Sequence, residues 1–324
     1  MLYRFFKFPA SIAIWFYCRQ LRVNNKSLFQ AKGPLLIASN HPNSFLDAII
    51  FSSIFKKPIY SLARGDAFKK NIVGDILRSL NMLPVYRSSE GVENMEHNYS
   101  TFDECKEIFK KGGIVLIFSE GKCVNEWHLR NLKKGTARLA ISSWEDGIDL
   151  KVLPAGLNYQ SFTVFGKNLH LNFGNIITQK DIDMENGFGK STLSFNQRLQ
   201  SELQQLVYEI DKEDEAGLQS TFKIPVSTFK KIMLAIPAAI GYILHWPLYY
   251  PINKLAIKYG SKNDHFDSIT VGGLFLLYPF YLLLAALLVY ATAGGYWGWL
   301  VFAALPFCSW SYMQLKNQFP VKAK

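Results

Sequence analysis

The sequence predicts an α/β domain whose mostly parallel sheet is flanked by helices, preceded by an N-terminal interfacial helix and followed by a C-terminal helical membrane region. Three observations predict this. Between residues 31 and 180, short apolar runs alternate with helix-like stretches, the pattern of repeated strand–helix–strand units. From 268 to 315, not one Asp, Glu, Lys or Arg occurs in 48 residues, a length that fits two spans of roughly 20 residues with a turn between them. The chain also begins with six basic residues (Arg4, Lys7, Arg19, Arg22, Lys26 and Lys32) before its first acid, Asp47, and these alternate with Phe5, Phe6, Phe8, Ile12, Ile14, Trp15, Phe16 and Tyr17.

Such a basic and aromatic start suits the face of an anionic bilayer. Residues 8–18 are apolar enough for a signal-peptide core. Arg19 and Arg22 follow directly, however, and no small-x-small cleavage site precedes them, so residues 1–30 are expected to form an uncleaved interfacial helix. Strands are predicted at 35–38, 58–62, 82–86, 114–118 and 152–158, and helices at about 45–55, 67–80, 95–111 and 132–144. Leu199, Leu203, Leu206 and Ile210 recur at helical spacing, which predicts an amphipathic helix at 191–213 covering the sheet.

These elements divide the chain into the N-terminal helix at 1–30, a globular domain at 31–220 and a membrane region at 221–324, with helices near 232–253, 269–291 and 296–315. Ala293-Gly294-Gly295 is the expected turn between the last two. The uncharged 232–253 stretch is long enough to span, but Pro237, His245, Pro247 and Pro251 are expected to break it up and leave it in the interface. Lys223, Lys230, Lys231, Lys254, Lys258, Lys262, Lys316, Lys322 and Lys324 flank the apolar stretches, whereas the glycine turn has no charge. The tendency of lysines to stay on the cytoplasmic side then favours a two-span hairpin with the globular domain on the cytoplasmic face; three spans would strand one basic group outside.

A net charge of +11 fits nucleic acid, an anionic membrane surface or an anionic small substrate. With no RNP-like aromatic run, Cys/His finger spacing or polybasic arm, no nucleic-acid partner is expected. The four cysteines (Cys18, Cys105, Cys123 and Cys308) are far apart, without a C-x-x-C or a Cys/His cluster, so neither a disulfide framework nor a metal site is expected.

His41 follows the apolar run Leu35-Leu36-Ile37-Ala38 and so lies at the carboxyl end of a strand, where open α/β sheets place ligands. Asp47 comes six positions later, in the first turn of the next helix. On one helix two such residues point about 240° apart; with His41 on the loop and Asp47 on the helix they can meet. Asp47 would then hold one ring nitrogen and favour the imidazolium, leaving the other to take a proton from a hydroxyl. Alone, the pair does not single out catalysis, because Ser44-x-x-Asp47 is also a capping-box pattern. Ser44 itself reads as an N-cap and Cys123 as no nucleophile.

The wider set of residues resembles the glycerolipid acyltransferase family, which includes lysophosphatidate and glycerol-3-phosphate acyltransferases. Its first block, Asn-His with a nearby Asp, is matched by Asn40, His41 and Asp47; its second, a strand ending in arginine, by Leu83-Pro84-Val85-Tyr86-Arg87. Phe118-Ser119-Glu120-Gly121 stands for Phe-Pro-Glu-Gly, and Val152-Leu153-Pro154-Ala155-Gly156 for the proline-bearing strand. The four blocks cover about residues 35–160. Two features depart from the family pattern: five residues rather than four separate His41 from Asp47, and Lys122-Cys123 replaces Thr-Arg.

The resemblance implies the glycerolipid acyltransferase fold and a catalytic domain at 31–220. His41 would be the base and Asp47 its support, with the acceptor phosphate held by Arg87, Glu120 and Gly121. Lys122 would replace the missing arginine as a point charge, and surfaces near Pro154 would line an acyl path. It further implies acyl transfer from acyl-CoA or acyl-ACP, as co-substrate, to a glycerol-phosphate or lysolipid acceptor at a lipid bilayer, with no metal or redox cofactor. The acceptor of first choice is 1-acylglycerol-3-phosphate, in phospholipid biosynthesis. Glycerol 3-phosphate or dihydroxyacetone phosphate is the alternative, to which the longer His–Asp spacing points, and a non-catalytic membrane scaffold is the other.

Overall fold

The computed structural model describes residues 2–86, 97–185, 187–260 and 262–319. The expected α/β architecture is present. Among the described residues one seven-stranded sheet comprises β1 (Cys18–Val23), β2 (Leu35–Ser39), β3 (Ile59–Arg64), β4 (Met82–Val85), β5 (Ile114–Phe118), β6 (Lys151–Tyr159) and β7 (Lys167–Phe173), in the order β1-β7-β6-β2-β5-β3-β4. The five strands β6-β2-β5-β3-β4 run parallel, with Ala38 opposite both Ile117 and Pro154. Their carboxyl ends therefore share one edge of the sheet, and His41, Gly65 and Ser119 all follow strands at that edge.

Helices join and cover these strands: α1 (Leu2–Tyr17), α2 (Phe45–Ile54), α3 (Asn71–Ser79), α4 (His97–Lys110), α5 (Lys134–Glu145) and α6 (Phe188–Leu206). The predicted helix at 67–80 begins as a short 3-10 turn, Gly65–Phe68, before α3. Strands β1 and β7 were not anticipated, because Cys18–Val23 carries two arginines and Lys167–Phe173 has no continuous apolar run. The predicted amphipathic helix is α6; it ends at Leu206, and Ile210 lies past it with its N–H on the Trp127 carbonyl.

The chain falls into two units. The first comprises 1–11, 22–158 and 170–211. Its core is an apolar layer in which Leu36, Val115 and Val152 of the sheet meet Phe109, Leu139, Ala140, Phe195, Leu199 and Leu203. Burial of side chains such as these stabilises by roughly 1.5–3 kcal/mol each. Gly156 lies so close to the Leu206 carbonyl that a Cβ would come within 2.6 Å of it.

The second unit comprises 12–21, 159–169 and 212–324. It contains a short helix, α7 (Glu215–Phe222), and the long helices α8 (Thr228–Gly260), α9 (Phe266–Ala293) and α10 (Trp297–Leu315). Gly294 and Gly295 take positive φ (69° and 59°) between α9 and α10, as the predicted turn requires. The expectation that prolines break up 232–253 is corrected: α8 runs unbroken for 33 residues through Pro237, Pro247 and Pro251. A helical proline deletes only its own N–H bond, and the bonds on either side carry the helix past it. Both α8 and α9 are long and apolar enough to cross a membrane.

Inside this unit Lys167 and Asp267, both fully buried, form an ion pair, and the Tyr17 hydroxyl donates to the same Asp267 oxygen at 2.9 Å. Burial pushes the Lys167 ammonium pKa down while Asp267 pulls it back up.

Candidate active site

The site is built where β2 ends. Asn40, buried at the first position past the strand, grips the backbone of β6 with both ends of its amide. Its Nδ2 donates to the Leu157 carbonyl at 3.0 Å, and its Oδ1 accepts the Leu157 N–H at 2.8 Å. On the other side of β2, Glu120 follows β5. Its Oε2 accepts the His41 N–H at 2.8 Å and its Oε1 the Arg130 N–H at 2.9 Å. The backbone of His41 is therefore held from both neighbouring strands before its side chain does anything.

The imidazole lies flat on Phe118, with ring centroids 3.9 Å apart and planes 7° apart. Its Nδ1 is 2.8 Å from Asp47 Oδ2, which also accepts the Asn43 N–H at 2.9 Å. Asp47 is 0% exposed and His41 15%. The arrangement sends a buried carboxylate to one ring nitrogen and leaves Nε2, which makes no hydrogen bond among the described residues, as the atom that can exchange a proton with a ligand. Position in the first turn of α2 also suits a carboxylate, because the helix N-terminus carries partial positive charge.

The capping-box alternative does not hold in the structure. Ser44 is the N-cap of α2 with φ 51°, and its side chain makes no capping hydrogen bond. Asp47 turns to His41 instead. The Ser44 N–H donates to Cys123 Sγ at 2.8 Å, so the cysteine braces the turn between His41 and Asp47. The chain between His41 and Asp47 thus passes through Ser44 at positive φ, which a non-glycine residue adopts only at a cost.

Of the remaining predicted residues, Glu120 is buried, and desolvation raises its carboxyl pKa above the usual range against the pull of its two backbone donors. Gly121 adopts φ +69° with its N–H on the Phe118 carbonyl, and a Cβ there would meet Lys133 Cγ at 3.0 Å. Lys122 is exposed beside it, and its carbonyl accepts from Arg130 Nη1 at 3.1 Å. Pro154 is buried in β6 opposite Ala38, three residues short of the level of His41. Arg87 lies outside the described residues.

Sequence reasoning did not foresee Arg130, whose N–H is on Glu120 and whose guanidinium pairs with Glu126 at 3.2 Å. Nor did it foresee the platform role of Phe118 or the bracing role of Cys123. Only Phe118 left a signal, as the aromatic residue that ends the strand just before Ser119-Glu120-Gly121.

Known proteins were compared with this chain in three ways. No curated protein matches it. Among solved structures it is similar to the crystal structure of the 1-acyl-sn-glycerophosphate (LPA) acyltransferase, PlsC, from Thermotoga maritima. That match has 14% identity and a TM-score of 0.44, and it covers 61% of this chain and 75% of that one, a likeness too loose to carry an argument. Residues 20–158, which contain Asn40, His41, Asp47 and Glu120, match the family model described as Acyltransferase. The stretch of chain that builds the His41–Asp47 pair is thus the stretch similar to the acyltransferase family.

Proposed function

We propose that the protein transfers a fatty acyl group from an acyl thioester, carried by CoA or acyl carrier protein, to a hydroxyl of 1-acylglycerol-3-phosphate at a membrane. The observation that carries this reading is the His41 Nδ1–Asp47 contact, with the carboxylate buried and the opposite ring nitrogen open to a ligand. His41 Nε2 removes the acceptor hydroxyl proton as the oxygen attacks the thioester carbonyl. Asp47 stabilises the imidazolium so formed. Collapse of the tetrahedral intermediate breaks the C–S bond, and the departing thiolate takes the proton back from His41. No metal or redox cofactor is needed for these steps.

Arg87, Lys122 and the turn at Glu120-Gly121 are the acceptor-binding residues of this proposal, with the cations meeting the phosphate. The catalytic domain, 31–220, works on the cytoplasmic face, held by the N-terminal helix and the apolar helices of the 221–324 region. Glycerol 3-phosphate is the second acceptor, to which the longer His–Asp interval points. The test is to incubate membranes containing the protein with labelled acyl thioester and a panel of acceptors, including 1-acylglycerol-3-phosphate, glycerol 3-phosphate and aminoacyl lysolipids. Labelled phosphatidate is the expected product, and no acyl transfer to any glycerol-phosphate acceptor overturns the reading.

A further inference from the structure

Helix α3 turns an apolar face to solvent. Ile72 is 77% exposed, Ile76 46% and Val73 41%, and on a helix of 3.6 residues per turn the three share one side. Apolar residues normally occupy the covered side of a helix joining two parallel strands, so three exposed aliphatic side chains together mark a contact surface. Since β3 and β4 are parallel, α3 starts at the carboxyl edge of the sheet and runs away from it. Ile72 and Val73 in its first turn therefore lie toward the edge that carries His41.

Charge at the same edge selects the partner. Lys69 and Lys70 immediately precede α3, and Lys122 and Lys133 belong to the loop after β5, the strand next to β3. All four are exposed, and none has an ion pair among the described residues. The nearby acids are engaged elsewhere: Asp66 pairs with Arg64, Glu126 with Arg130, and Glu120 is buried on backbone amides. Asp75 alone sits on the flank of α3.

An aliphatic helix face with exposed lysines on the same edge of the sheet is complementary to an anionic lipid surface, where apolar groups enter the acyl boundary and ammonium groups meet headgroup phosphates. The same chain carries two helices long and apolar enough to cross a bilayer, which would keep such a surface close. We propose that the carboxyl edge of the sheet docks on an anionic bilayer, with the Ile72–Val73–Ile76 face of α3 entering the interface and these lysines flanking it.

The test uses the full chain reconstituted in nanodiscs, with Cys123→Ser to remove the one partly exposed thiol and an environment-sensitive fluorophore on Ile72→Cys. A second probe on Lys111→Cys, exposed at the opposite edge just before β5, is the control. In phosphatidylglycerol-containing discs the position 72 probe is expected to shift to the blue and to be quenched by lipids brominated near the headgroup, and the position 111 probe to do neither. Replacing Lys69 and Lys70 with Gln, or the anionic lipid with phosphatidylcholine, is expected to reduce the shift and the quenching. Equal, low quenching at both positions overturns the proposal. So does a position 72 probe already shielded from iodide in lipid-free detergent, which would assign the face to a second copy of the chain.

Discussion

At the scale of single residues, the proposed reaction separates groups that meet the substrates from groups that aim them. His41 belongs to the first kind. His41→Ala is expected to lower acyl transfer by about 100-fold or more, the usual worth of a positioned base, while the protein stays in the membrane fraction. Asp47 belongs to the second, whereas Glu120 holds the His41 N–H and also stands in the proposed acceptor site. Asp47→Asn leaves the size of the side chain but removes the charge that supports the imidazolium, so kcat is expected to fall by a similar factor with little change in acceptor KM. Glu120→Gln tests a sharper point, because both carboxylate oxygens accept backbone N–H groups. The amide can satisfy only one of them. A fall in kcat at constant acceptor KM is expected if Glu120 sets the position of His41, and a rise in KM would give it the acceptor hydroxyl instead. Arg87→Ala, by contrast, is expected to act mainly on acceptor KM.

At the scale of elements, the sequence showed what repeats and hid what is singular. The five parallel strands were legible as short, nearly continuous apolar runs because both faces of a parallel strand are covered. Cys18–Val23 and Lys167–Phe173 have no such run, and their polar residues are placed by contacts distant in sequence: Lys167 by Asp267, Arg19 by the Gln314 and Lys316 carbonyls. Proline was misleading in α8, where neighbouring turns maintain a helix that three ring nitrogens interrupt. In the site, His41 and Asp47 were legible from spacing and order. Cys123 was not, since nothing in a sequence says that its sulfur receives the Ser44 amide 79 residues away. The Lys167–Asp267 pair offers a test at this scale. Asp267→Ala leaves a buried ammonium without its partner and is expected to cost about 3–5 kcal/mol, read as a lowered Tm in detergent.

For the whole molecule, the distribution of lysines yields a testable expectation about sidedness. If α9 and α10 form the hairpin and α8, though long and apolar enough to span, stays in the interface, a cysteine placed at Tyr296, beside the glycine turn, is expected to react with a membrane-impermeant maleimide in intact cells. One placed at Lys262 is expected to react only after permeabilisation; the reverse pattern would make α8 a full span. The bracing sulfur beside the catalytic turn has its own consequence, in the order of events during turnover. In the proposed reaction the His41–Asp47 pair activates a hydroxyl brought by the acceptor while Cys123 receives the Ser44 amide, so transfer is expected to be direct, without an acylated protein. Donor and acceptor must then be bound together: double-reciprocal plots at several fixed acceptor concentrations should intersect rather than run parallel, and no acylated protein should accumulate when the donor is supplied alone.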